Sequence, residues 1–183
     1  MAYLALTHPG GVSAAPFDDM VLDLEMRGWR KAAAAYGLAV LVRDAAAPQV
    51  QTLGDWRGAV GVLVGEVFDR RALDEGEARR LDLGPLSHTA NEEPRAIAPL
   101  LAEQAFGDYV GVVRERHGGG AVVFSDPLGG RPAFAWFRDG VTIIGDEPPE
   151  GRAAPIGLKI DWPGVAALMS DPRRMGARPC CRA

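Results

Sequence analysis

The chain has 183 residues, 20 Lys and Arg against 24 Asp and Glu, a formal net charge of -4, 48% hydrophobic and 24% charged residues. That length and balance suit a globule of about one domain. The charge gives no reason to bind nucleic acid or an anionic membrane, and no apolar run approaches the ~20 residues a membrane helix needs. The N-terminus lacks a basic stretch followed by an apolar core, so a cytoplasmic location is expected.

Met1 to Thr7 is a short apolar run closed by Pro9-Gly10-Gly11, which suggests a first strand. From Phe17 to Arg27, Phe17, Met20, Val21 and Leu24 fall at helical spacing, with Asp18 and Asp19 where a helix N-terminus favours negative charge. Trp29 to Ala35 is ambiguous, since Ala32 to Ala35 favours helix while its glycine boundaries suit a strand. Leu38 to Val42 reads as a buried strand ending at Arg43-Asp44, followed by a small-residue loop from Ala45 to Pro48.

Trp56-Arg57-Gly58 leads into a second buried strand, Ala59 to Val64, which delivers Gly65 and Glu66 at its end. Asp69 to Leu81 is dense in charge and reads as a solvated helix or turn, with pairs such as Glu75 to Arg79, rather than a binding patch. His88 falls in a polar connection with no second ligand at metal spacing, so no metal site is expected. Asn91-Glu92-Glu93-Pro94 is a helix-start signal; Ala96, Ile97, Leu100, Leu101 and Ala105 then share one face, and Pro99 should kink that helix. Tyr109 to Arg116 alternates like a half-buried strand and ends at His117-Gly118-Gly119-Gly120, an exposed hairpin tip.

Three further apolar runs, Ala121 to Phe124, Pro132 to Phe137 and Val141 to Ile144, alternate with two turn signals, as antiparallel strands joined by tight connections do. The first connection, Ser125 to Pro132, combines an Asp, a Pro and paired glycines and reads as a rigid corner. Beyond Asp146, Glu147 to Pro155 is a Pro- and Gly-rich linker, Ile156 to Ile160 suits one more strand, and Asp161-Trp162-Pro163 opens a short helix to Met169. Cys180 and Cys181 are adjacent at the end of the chain, where neither a mutual bridge nor a zinc site is favoured.

The corner Asp126-Pro127-x-Gly129-x-x-Pro132, the aromatic strand after it (Phe134, Trp136, Phe137), the Asp139-Gly140 hairpin and the strand ending in Gly145-Asp146 resemble the late part of the N-terminal domain of asparagine synthetases. The family's segment there is Arg-Asp-x-x-Gly-x-x-Pro-Leu-Tyr-Tyr. Val64-Gly65-Glu66-Val67-Phe68-Asp69 stands where it has Asn-Gly-Glu-Ile-Tyr-Asn, and Gly107-Asp108-Tyr109-Val110 where a helix gives way to a strand. The resemblance covers roughly residues 50 to 175 and is nearer to the relatives that close lasso-peptide rings.

It implies a class II glutamine amidotransferase-like (Ntn-hydrolase) fold of α+β class: two stacked antiparallel sheets with helices outside, a four-layer αββα sandwich. The bottom-up count of about eight strands with two or three helices fits this, and also fits a single sheet with helices on one face. Residues 1–150 would form the amidotransferase-like domain. Residues 151–183 would be a linker and the start of a missing or truncated C-terminal synthetase domain, since Asp171 to Ala183 breaks off where the relatives continue.

In the family a Cys at the second position attacks the glutamine amide, its own α-amino group taking the proton. Here that position is Ala2, with no catalytic residue to replace it, because Tyr3 would point to the opposite face of a strand. The oxyanion-hole Asn is replaced by Val64, which cannot donate a hydrogen bond. The resemblance implies that the strand end with Gly65 and Glu66 lines the substrate site, Glu66 helping to hold the amino group, and that Glu93 is the nearest match to an Asp that binds it; the three would form a vestigial pocket, although local backbone bonding and helix-dipole stabilisation explain the two acids without a ligand. The reading is a catalytically degenerate domain of an amide-forming ligase, needing no cofactor, that supports a synthetase domain or seats a peptide. Alternatives are a subunit of a split ATP-dependent ligase, working with a separate synthetase, and a module binding an amino acid or peptide end in the vacated pocket.

Overall fold

The computed structural model describes residues 2–8, 15–35, 37–43, 49–54, 59–115, 120–127, 130–156, 159–160 and 181–182. Its first strand, β1 (Ala2–Thr7), is buried throughout because both of its faces are covered. The helix α1 (Ala15–Met26) lays Phe17, Met20, Val21 and Leu24 on one of them, as their spacing foretold. Arg30–Ala35, ambiguous in sequence, is a strand, β2, pairing antiparallel with β3 (Leu38–Arg43). Sheet pairing here overrides the helix preference of four alanines.

β4 (Val50–Leu53) is a short strand that its weak pattern did not announce. β5 (Ala59–Asp69) does not stop at Gly65 and Glu66 but runs through them, so both lie inside a strand. The helix α2 (Arg70–Asp74) follows, capped by Asp69, whose carboxylate accepts from Arg71 N at 2.9 Å and holds Arg79 at 3.1 Å. Arg79 thus pairs with Asp69, not Glu75.

The helix start expected at Asn91 lies inside the end of another helix, α3 (Gly84–Glu92), which also contains His88. Pro85 in its first turn sets the true beginning. Glu93 breaks the helix, Pro94–Ala96 makes one tight turn, and α4 (Ile97–Gln104) follows. Pro99 falls in the first turn of α4, where its missing N–H has no intrahelical partner, so no ladder bond is lost.

The long strand β6 (Ala105–Glu115) pairs with β5 along its whole length, and β7 (Ala121–Ser125) pairs with β6. The corner then carries the chain out of that sheet. β8 (Phe134–Arg138) and β9 (Val141–Gly145) form a hairpin in the other sheet, closed by Asp139 and Gly140 at φ 51° and 82°. Two short strands, β10 (Lys159–Ile160) and β11 (Cys181–Arg182), pair with each other. The expected helix from Trp162 to Met169 and the His117 tip lie outside the described residues.

One sheet has the order β2-β3-β1-β9-β8 and the other β4-β5-β6-β7. Tyr3, Ala5, Val40, Val42 and Ile144 of the first pack on Val62, Val64, Val110 and Val112 of the second, so the sheets lie face to face. α1 covers the outer face of the first through Leu4, Leu6, Leu41 and Ile143; α3 and α4 cover the second through Leu86, Ile97 and Leu101 on Leu63, Val67 and Tyr109. The fold is therefore a four-layer αββα sandwich, and the single-sheet alternative is excluded. Tyr109 to Arg114 is buried on both faces, not half-buried, because it lies in an inner layer.

Candidate functional site

Strand alternation decides what the tip of β1 presents. Ala2, with Leu4 and Leu6, packs toward α1 and is 4% exposed; Tyr3 and Ala5 face the second sheet. The Tyr3 N–H donates to Asp146 Oδ1 at 2.9 Å and its phenol to the Pro132 carbonyl at 3.0 Å. The inward side of the tip is thus filled by a buried aromatic ring tied to the corner. Burial, then the nearby Asp146, holds the Tyr3 phenol well above its usual range.

Across the gap, Val64 is fully buried between the sheets. Gly65 and Gly107 have φ of 118° and 152°, and a Cβ on either would overlap a carbonyl oxygen of the facing strand, that of Asp108 or of Glu66. The two glycines bracket the directly opposed pair Glu66 and Asp108. Like charges so placed repel, and each has an arginine within reach: Arg80 lies 3.7 Å from Glu66 and Arg131 donates to Asp108 Oδ2 at 2.7 Å. Both carboxylates are more than half exposed, whereas the Arg131 side chain is 11% exposed and its Nε is buried without a hydrogen bond.

The corner is fastened from within. Asp126, 2% exposed, accepts from Gly130 N at 3.1 Å, and its own N–H donates to Tyr109 O at 3.1 Å. Gly130 stands close to the carboxylates of both Asp108 and Asp126.

Of the residues singled out in sequence, Gly65 and Glu66 thus lie together on β5. Glu93 is exposed at the break after α3, its N–H donating to Thr89 O and its carbonyl accepting from Ala96 N. Asp108, Arg131 and Tyr3, which complete the polar cluster, carried no signal as site residues; only the Gly107-Asp108 and corner motifs drew attention to their neighbourhood. Among the described residues no group of His, Cys, Asp or Glu could hold a metal ion, and no helix is long and apolar enough to cross a membrane. An open cavity of about 380 Å³ lies elsewhere, beside the N-terminus of α1 and the β8–β9 turn, bordered by Asp19, Met20, Arg138 and Arg152.

No family model and no curated protein matches the chain. Among solved structures it is similar to the glutamine phosphoribosylpyrophosphate amidotransferase of B. subtilis complexed with ADP and GMP, at 12% identity and a TM-score of 0.44. The match covers 80% of this chain and 42% of that one, so this chain spans less than half of the protein it matches.

Proposed function

We propose that this chain is a glutamine amidotransferase-like domain without glutaminase activity, serving an asparagine synthetase-related amide-forming ligase as a structural or substrate-seating part. The observation that carries the loss of activity is the packing of Ala2. Its methyl is enclosed in the outer core beneath α1, on the face of β1 turned away from Gly65. Val64, at the family's oxyanion position, is likewise enclosed in the core between the sheets, with no donor to offer. The ligase context, including ring closure on a peptide, rests on the sequence resemblance. A ring-closing ligase takes its amine from the peptide and needs no ammonia, which accounts for a domain kept as a fold after its chemistry is gone.

The test is ammonia release from glutamine by the purified chain, expected to equal buffer. Turnover above buffer that disappears when the β1 strand is disrupted would overturn the proposal. A second reading, an amino-acid or peptide-end module, draws support from the exposed Glu66 and Asp108 side by side, which could hold an ammonium group. Calorimetry with glutamine, asparagine and short peptide amines separates the two: saturable heat lost in Glu66→Gln supports the module, and its absence leaves the supporting domain. Work with a separately encoded synthetase subunit would be detected by co-purification.

A further inference from the structure

Beyond β9 the chain is held against the sandwich without joining either sheet. In residues 149–154, Pro149 and Ala153 are buried, and Ala153 belongs to the outer core that also holds Phe17, Leu24 and Trp136. Gly151–Ala153 forms one tight turn against α1, with Ala154 N donating back to Gly151 O at 3.1 Å. Among the described residues, the hydrogen bonds that reach this segment from outside all come from side chains.

They come from two sides. From β8, Trp136 Nε1 donates to Ala153 O at 2.8 Å, and Arg138 Nη1 donates to Ala154 O at 2.7 Å and to Gly151 O at 3.3 Å. From α1, Asp23 Oδ2 accepts from Arg152 N at 2.9 Å and from Arg27 Nε at 3.1 Å, and Asp19 accepts from Arg152 Nη1 at 2.7 Å. The Arg152 N–H, then Arg27, holds the Asp23 carboxyl below its usual range, so both of its bonds are charge-assisted. The seat is close: a Cβ on Gly151 would run into the Asp23 carboxylate and the Arg27 guanidinium.

We propose that residues 149–154 are a strap that opens as one unit while both sheets stay folded, with Asp23 as its latch. Unity follows from the bonding. Arg138 holds Gly151 and Ala154 together, Asp23 holds Arg152 between them, and the tight turn fixes their spacing, so no one of them leaves alone. Independence follows from what the strap lacks, which is any strand ladder and any buried apolar group larger than a proline; such segments open at lower free energy than a paired core. Opening uncovers the Trp136 indole, which is 8% exposed when closed, and frees Arg138 from its two carbonyls. It also takes Arg152 out of the wall of the cavity beside α1, which Arg138 borders as well. The strap is therefore a lid on a recess that pairs an aromatic ring with a guanidinium.

Hydrogen exchange of assigned backbone amides in the full chain tests the proposal. The Arg152 N–H is bonded to Asp23, whereas the Ala154 N–H is bonded inside the strap, to Gly151 O. The two should share one protection factor, lower than that of Leu4 and Leu6 in β1, a strand paired on both sides. Asp23→Ala should lower protection of the Ala154 N–H, to which it makes no bond, by roughly tenfold or more and leave β1 unchanged. Trp136→Phe should do the same to the Arg152 N–H. Glu25→Ala, which breaks the Glu25–Lys31 pair on the same helix, should leave the strap as it is. Circular dichroism confirms that each variant is folded; if Trp136→Phe is not, Asp23→Ala decides. Strap amides as protected as those of β1 overturn independent opening. An Ala154 N–H indifferent to Asp23→Ala overturns the latch and the single unit.

Discussion

Arg131 joins Asp108 through a 2.7 Å hydrogen bond that ties the corner between the two sheets to the middle of β6. The pair is lopsided, with a nearly enclosed guanidinium bonded to a half-exposed carboxylate. Solvent screens the carboxylate, so the pair itself contributes modestly, but removing the acid strands a buried cation. Asp108→Ala should therefore lower the unfolding free energy by about 1–2 kcal/mol in urea titration, with Arg131→Met closer to neutral. Equal losses in the two variants would show that the enclosed charge is not what matters.

The glycines at the β5–β6 crossing make a sharper case. Gly65→Ala incurs both an unfavourable φ and an overlap with the Asp108 carbonyl, which cannot move without breaking the ladder. Gly28 has φ 88° and open space around it, so Gly28→Ala incurs only the first. Expected costs are about 1 kcal/mol for Gly28→Ala and roughly 3 kcal/mol or more for Gly65→Ala, read as shifts in the urea midpoint. Similar midpoints would mean that β5 and β6 do not approach as closely as described.

The buried tyrosines predict how stability depends on pH. Burial, helped by the Asp126 carboxylate, pushes the Tyr109 phenol up to about 12, and Tyr3 is raised further for a like reason. In the unfolded chain both lose their protons near pH 10. Above that pH the unfolded state binds fewer protons than the native one, so stability falls with rising pH. The contribution is intact below pH 10 and is lost between 10 and 12, at about 1.4 kcal/mol per pH unit for each phenol. Tyr109→Phe should remove one phenol's share of that slope in alkaline urea titrations while leaving Tyr3's in place.

The layers were legible in the sequence where burial follows a period. Phe17, Met20, Val21 and Leu24 announced α1, and the continuous apolar runs at Leu38 and Ala59 announced strands covered on both sides. What failed was punctuation. Asn91 and Glu92 carry the chemistry of a helix start, yet Pro85 and the packing of Leu86 begin the helix earlier and absorb them. Gly65 reads as a stop, yet with Gly107 opposite it permits two strands to pass closely without parting. The polar cluster was invisible for a different reason: Tyr3, Asp108 and Arg131 are far apart in sequence and meet only because the corner crosses from one sheet to the other.

Reactivity of an installed thiol tests the placement on which the functional reading depends. In a Cys180→Ser, Cys181→Ser background, Ala2→Cys places a sulfur where the proposed resemblance to asparagine synthetases would put the nucleophile. If Ala2 lies beneath α1 as described, that sulfur is enclosed by Leu4, Leu41 and their neighbours, away from Gly65. A thiol reagent should then modify it on the order of 100-fold more slowly than a thiol introduced by Met26→Cys, which is well exposed. Under the proposed function, ammonia release from glutamine should stay at the level of buffer, because Val64 would leave the oxyanion without a donor. Fast labelling with glutamine turnover would place the second residue in an open site and overturn the proposed lack of glutaminase activity.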